Sequence, residues 1–177
     1  MLFISSIFGC VQVPYQYDNK QTQLAISSVR DLPITFAKGS TFTLTPKYAK
    51  NSTISAEQLN NAYQMYANTI IENAEAQGYQ YAPSGHSDFE IGYLIALEQD
   101  VSDETINNKF GVSPGLHATD NLEKGSFLIY IEDKESAQRI WRGAVQGFVQ
   151  EDFTVSEREQ RVVNIVNVVL SQFYNVE

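Results

Sequence analysis

A single cysteine, Cys10, stands in a chain of 177 residues, so no intramolecular disulfide is available and the fold must rest on its apolar core. Histidine is nearly as scarce. His86 and His117 are the two present, far apart and in loop-like sequence, which is thin ground for a metal centre needing several converging ligands. Basic charge is in deficit: 12 Lys and Arg stand against 21 Asp and Glu, for a net charge of −9. That leaves no basic stripe to meet phosphates, which argues against nucleic acid as a partner and against electrostatic adhesion to anionic headgroups. No apolar run approaches the ~18 residues needed to span a bilayer. The chain also lacks a glycine-rich phosphate loop, a nucleophile elbow and an HExxH helix. No cofactor, metal or catalytic residue is therefore nominated.

What the chain does have begins at its N-terminus. Met1 to Phe8 is mostly apolar, and Ile7-Phe8-Gly9-Cys10 resembles a lipobox, whose cysteine thiol is lipidated before cleavage. Residues 1–9 carry no Lys or Arg, and their apolar core is short for a secretory signal of ~7–15 residues; a start codon further upstream accounts for both. The competing reading is an apolar strand with an ordinary buried cysteine. On the lipobox reading, residues 1–9 are a lipoprotein-type signal peptide, 10–30 a lipidated tether and 31–177 the folded domain. A diacylated Cys10 would hold the protein stably at a membrane, and the tether would reach roughly 70 Å when extended. Val11 in place of an aspartate after the cysteine points, by analogy with lipoprotein sorting, to the periplasmic face of the outer membrane.

Local patterns mark the elements. Gln23 to Val29 is either part of the tether or an edge strand, with Leu24 and Ile26 on one face. Thr41 to Thr45 alternates in the period of a half-buried strand, with Pro46 as its end. Ser55-Ala56-Glu57-Gln58 fits a capping box, and Leu59, Ala62, Tyr63, Tyr66, Ile70, Ile71 and Ala74 follow at helical spacing. Gly78 suits the left-handed position past the last turn. Asp88 to Glu98 is apolar on both faces, which predicts a central strand. Asp100 to Lys124 has no sustained periodicity and reads as a long loop, either variable or a lid or partner contact. Ser126 to Ile131 and Arg139 to Val149 form a predicted hairpin, in which Gly143 and Gly147 share the Trp141 face and allow a helix to approach closely. A second capping box is read at Ser156-Glu157-Arg158-Glu159, opening a helix that buries Val162, Val166, Val169, Leu170 and Phe173. The acidic pairs Glu132-Asp133 and Glu151-Asp152 sit at strand ends and read as solvated turns.

Gln77-Gly78-Tyr79 ending a helix, Asp88-Phe89-Glu90-Ile91-Gly92-Tyr93 opening a strand, and Ile140-Trp141-Arg142-Gly143 followed by Glu157-Arg158-Glu159-Gln160-Arg161 together resemble the bacterial lipoproteins grouped as domain of unknown function 4136. The resemblance spans roughly residues 30–175. It implies a lipoprotein with an α+β domain and carries over no catalytic residue.

The expected architecture is an α+β fold: a mainly antiparallel sheet of four to five strands with two long helices packed on one face, leaving the other face open. On that open face Leu94, Arg142, Gln146 and Phe148 form the candidate binding surface, with Arg142 either clamping an anion or making a cross-strand ion pair. Two functions follow. One is a cell-envelope lipoprotein, anchored to the membrane through Cys10, acting as a tethered binding or assembly module for an envelope protein or small ligand. The alternative is an envelope hydrolase or ligand-modifying enzyme in which acidic groups of the 100–124 loop close over a pocket.

Overall fold

The computed structural model describes residues 23–50, 52–119, 121–150 and 152–175. Cys10, the expected signal peptide and the expected tether up to residue 22 lie outside these described residues. From Leu24 onward the chain is already sheet. Leu24–Arg30 (β1) pairs antiparallel with Gln138–Phe148 (β6), so the expected tether ends before Leu24 and the strand alternative for Gln23 to Val29 holds.

The sheet has six strands in the order β1-β6-β5-β4-β2-β3, where β2 is Thr41–Lys47, β3 Gln80–Tyr81, β4 Phe89–Leu97 and β5 Lys124–Asp133. It is mixed, which corrects the expected mainly antiparallel sheet of four to five strands: β2 runs parallel to both β3 and β4. The cause is the helix Ala56–Ala76 (α1) between β2 and β3, since a helical crossover returns the chain to the same end and makes the next strand parallel. Pro46 does not end β2. It pairs in register with Tyr93, and the strand continues to Lys47. β4 lies between β2 and β5, as its two apolar faces require.

Helices α1 and Val155–Tyr174 (α3) cover one face. Phe42, Ile91, Ile129, Ile131 and Trp141 from the sheet meet Ile70, Val166 and Leu170 from the helices, all at most 1% exposed. Burial of each such side chain contributes about 1.5–3 kcal/mol. Asn73 of α1 bonds Asn167 of α3 at 2.7 Å, and Tyr174 donates to Asn73 at 2.8 Å, tying the C-terminal halves of the helices together. Gly143 permits the contact of α3 with β6: a Cβ there would stand 2.5 Å from Trp141 Cη2 and 2.7 Å from Val169 Cγ2.

The helix ends match the sequence with two corrections: at α1 only half of the expected capping box forms, the Gln58 side chain accepting from the Ser55 hydroxyl rather than from its backbone N–H, and the cap of α3 is shifted. Ser55 Oγ accepts the Gln58 N–H at 3.3 Å, and Gly78 takes φ +94°. The cap of α3 is Thr154, two residues before the expected Ser156. Its hydroxyl accepts the Glu157 N–H, and Glu157 in return accepts the Thr154 N–H at 2.8 Å. Glu157 is thus the third helical residue of the box.

Residues 100–119 form an ordered strap. Ser102 caps the short helix Asp103–Thr105 (α2), a single π turn covers Ile106–Phe110, and Gly111 at φ +72° ends it. Extended chain follows, and Ile106, Val112 and Leu116 are all buried at 5% exposure or less. Ile106 and Val112 cluster with Leu128 and Ala144 on the sheet face opposite the helices. No helix among the described residues is long and apolar enough to cross a membrane.

Candidate functional site

The four residues expected on an open face do lie on one side of the sheet, but that side is covered. Gln146 and Phe148 are each 1% exposed, and Leu94 packs against the cluster formed with the strap. The physical reason is that the segment between β4 and β5 carries its own apolar residues and buries them there, removing Leu128 and Ala144 from water. Arg142 pairs with Asp31 at 3.0 Å, just beyond the end of β1, so it takes the ion-pair role expected of it. Gly111 lies against its guanidinium, where a Cβ would come within 3.0 Å.

A polar clasp fastens the strap, and sequence reasoning found only one of its members. Lys124 is 2% exposed, and its ammonium meets Asp103 at 2.6 Å and Glu98 at 3.0 Å. Gln146 donates to the second Asp103 oxygen at 2.6 Å and accepts the Leu116 N–H at 3.2 Å. Burial works against the Lys124 charge, yet the hydrogen bonds and charges of Asp103 and Glu98 outweigh it and hold the pKa above the usual lysine value. Asp103 is the mirror case: burial pushes its pKa up, but Lys124 and Gln146 bring it below the ordinary carboxylate range. Asp103, one of the loop's acidic groups, is therefore committed to holding the strap.

Of the remaining candidates, His86 and His117 are exposed, and no three His, Cys, Asp or Glu gather for a metal among the described residues. Asp133 accepts the Ser136 N–H at 2.8 Å, the turn role expected of it. Asp152 is exposed, and Glu151 lies outside the described residues.

A concave site instead lies at the other side of the sheet, where α1 and α3 begin. The groove, about 840 Å³, is of the size that holds small ligands. Ala62, Met65 and Tyr66 of α1, Val162 and Ile165 of α3 and Leu97 at the end of β4 give it apolar walls, while Arg158 and Arg161 bring positive charge. Glu123 also lines it and accepts a hydrogen bond from Gln99 at 3.0 Å. None of the described residues between 101 and 122 does, so the described part of the strap is not a lid on this groove. A smaller concavity of about 150 Å³ adjoins it, sharing Tyr66, Leu97, Val149, Arg161 and Ile165.

Arg161 reaches this junction because β6 has glycine beneath it: a Cβ on Gly147 would stand 2.7 Å from its Nη2. Its guanidinium donates to the Phe148 carbonyl at 3.0 Å and lies 5.9 Å from the Phe153 ring centre. The Tyr66 ring lies 4.5 Å from that of Phe127, tilted by 30°, and the residue is 8% exposed. Burial pushes its pKa up, with the Arg161 charge acting the other way, so the hydroxyl keeps its proton. Tyr63 and Tyr93 differ: Tyr63 donates to the Lys47 carbonyl and Tyr93 to the Tyr63 carbonyl. Tyr63 and Tyr66 both lie buried on the α1 stripe, as the helical spacing predicts. The groove escaped notice because its walls come from four separated segments.

No curated protein matches the chain. The chain is similar to several solved structures, and the first two named here share its fold. PelC from Paraburkholderia phytofirmans, solved as a dodecamer, is 9% identical with a TM-score of 0.51, over 87% of this chain and 99% of that one. A PDZ domain protein from Parabacteroides distasonis is 11% identical with a TM-score of 0.54, over 87% of this chain and 36% of that one. Lipoprotein GNA1162 from Neisseria meningitidis is 13% identical with a TM-score of 0.42, over 77% of this chain and 99% of that one. The model of the family described as Domain of unknown function (DUF4136) matches residues 27–173, from within β1 to the last turn of α3, and the chain belongs to that family.

Proposed function

We propose that this protein is a cell-envelope lipoprotein, anchored through Cys10 at the periplasmic face of the outer membrane, and that its domain is a binding module whose ligand enters the groove between the first turns of α1 and α3. The observation that carries this reading is the shared position of groove and tether. β1 begins at Leu24 opposite Gly147, and the Gln23 carbonyl lies beside Gly147, 3.5 Å from where a Cβ would stand. The chain leading back to Cys10 therefore leaves the domain at the end that bears the groove. Val149, 37% exposed, lines the same concavity. A lipid anchor would keep this end within reach of the bilayer.

Site-specific photocrosslinking in a Gram-negative host tests the reading. A photoreactive residue at Met65, in the groove, is expected to trap a ligand that the same residue at Asn107, on the exposed strap, does not. The Cys10→Ser form is expected to leave the membrane fraction. Equal labelling at both positions would remove the groove as the site, and membrane retention of Cys10→Ser would remove the anchor.

A further inference from the structure

Both roots of the strap are built into the rim of the groove. At the end of β4, Leu97 and Gln99 line the groove, and Glu98 between them pairs with Lys124 in the clasp. At the start of β5, Glu123 lines the groove and accepts from Gln99 at 3.0 Å, and Lys124 beside it is the centre of the clasp. Side chains alternate along a strand, so each root serves both faces of the sheet. The backbone joins them as well: the Glu98 N–H donates to the Lys124 carbonyl at 2.9 Å, and the Val149 N–H, on the groove, to the Glu123 carbonyl at 2.8 Å.

Asp100 then ties the strap to the far side of the rim. It accepts the Ser52 hydroxyl at 2.9 Å and the Thr53 N–H and hydroxyl at 3.0 Å each, and Thr53 and Ile54 line the groove just before α1. The segment 98–103 thus holds the groove rim through Gln99 and Asp100 and the strap through Glu98 and Asp103. The strap itself is separable from the main core. Ile106 and Val112 bury in their own small cluster with Leu128 and Ala144, apart from the apolar residues beneath the helices. Arg142, against whose guanidinium Gly111 of the strap lies, has its Nε buried without a hydrogen-bond partner, as is Oδ2 of its ion-pair partner Asp31. Such atoms are costly to bury, which opposes closure.

We propose that strap and groove are linked: opening of the strap releases Asp100 from the rim and undoes the groove, and an occupied groove keeps the strap shut. This rests on the groove being the binding site. By reciprocity, whatever favours closure of the strap favours occupancy to the same degree. The strap then carries the state of the groove to the opposite face of the sheet.

Native-state hydrogen exchange of the full-length chain tests it at the Ser113 and Leu116 amides of the strap. The paired variant Ser52→Ala, Thr53→Val removes both hydroxyls from Asp100 and leaves the clasp and the strap cluster intact. If those bonds break when the strap opens, their loss is expected to lower protection at both amides about fivefold or more, the low end of couplings between sites, while β4 keeps its protection. Anilinonaphthalene sulfonate, an apolar dye, serves as the groove occupant; at ten times its dissociation constant it is expected to raise strap protection about tenfold. Its fluorescence is expected to vanish in Ala62→Trp, which fills the groove, with β4 protection confirming the fold. Unchanged protection at Ser113 and Leu116 in the paired variant overturns the linkage, whatever the groove binds. Dye that sits in the groove without raising strap protection overturns it equally. If no dye binds, or folded Ala62→Trp binds it as before, the groove falls as the site and takes the regulation with it, while the coupling of strap to rim stands or falls on the paired variant.

Discussion

Replacing Lys124 by methionine should loosen the strap without unfolding the domain. Methionine keeps most of the aliphatic stem that fills the space beneath the strap and removes the ammonium shared by Asp103 and Glu98. A hydrogen bond to a charged group contributes about 1.5–3 kcal/mol. The Asp103 and Glu98 side chains are 52% and 42% exposed, so water can take over part of the lysine's role, which favours the lower half of that range. A loss of about 1.5–2 kcal/mol corresponds to a roughly ten- to thirty-fold rise in strap opening. Native-state hydrogen exchange reads this at three amides: Gly111, which donates to the Ile106 carbonyl at 3.0 Å, Leu116, which donates to Gln146, and Ser113, which donates to Ser27 at 3.4 Å. Their protection should fall by that factor while β4 and the centre of β5 keep theirs, as expected for local opening. In a double-mutant cycle, Asp103→Asn should cost little more in the methionine background. Unchanged protection at Leu116, or a uniform loss across the sheet, would refute the clasp.

Gly143→Ala should destabilise the domain by about 1–3 kcal/mol in chemical denaturation, the usual cost of overpacking, because its Cβ would strike Trp141 and Val169, 1% and 0% exposed. Gly125→Ala, with its nearest atom at 3.6 Å, is the matched control and should stay within about 0.5 kcal/mol. Thr154→Ala should cost about 1 kcal/mol by removing one half of the α3 capping box, whereas Ser156→Ala should be neutral. Strap protection should also depend on pH at both extremes. The Asp103 pKa is lowered on folding, so its contribution is full above its unfolded value of about 4 and is lost as pH falls through the folded one; the Lys124 pKa is raised, so its contribution is full below about 10.4 and is lost as pH rises through the folded one. The Lys124→Met variant should lose the alkaline dependence.

Periodicity carried the helices, the doubly apolar β4 and the hairpin, because each depends on residues adjacent along the chain. The glycine of the Trp-Arg-Gly strand was legible for the same reason: a residue without a side chain beside Trp141 on one face signals close approach, and Val169 makes it. Parallel pairing of β2 depended on where α1 delivers the chain, and Pro46 concealed the strand's last residue. The strap was opaque because Ile106, Val112 and Leu116 are too few and too widely spaced to establish a period, with glycine, proline and asparagine between them. Its cover over Leu94 and Gln146 could not be seen without it. Lys124 at a strand start reads as a solvated cation, and only the approach of Glu98 and Asp103 explains its burial. Tyr66 was legible as helix stripe; its hydroxyl was not, since its surroundings come from α3 and from the ends of β4 and β6.

Native mass spectrometry of the protein extracted from membranes tests the central claim, a lipid-anchored domain with an occupied groove, most directly. The account predicts a polypeptide mass beginning at a diacylated Cys10, together with a non-covalent adduct that disappears in the Ala62→Trp variant. An intact Met1 with a bare thiol, or an adduct that persists when the groove is filled, would contradict it.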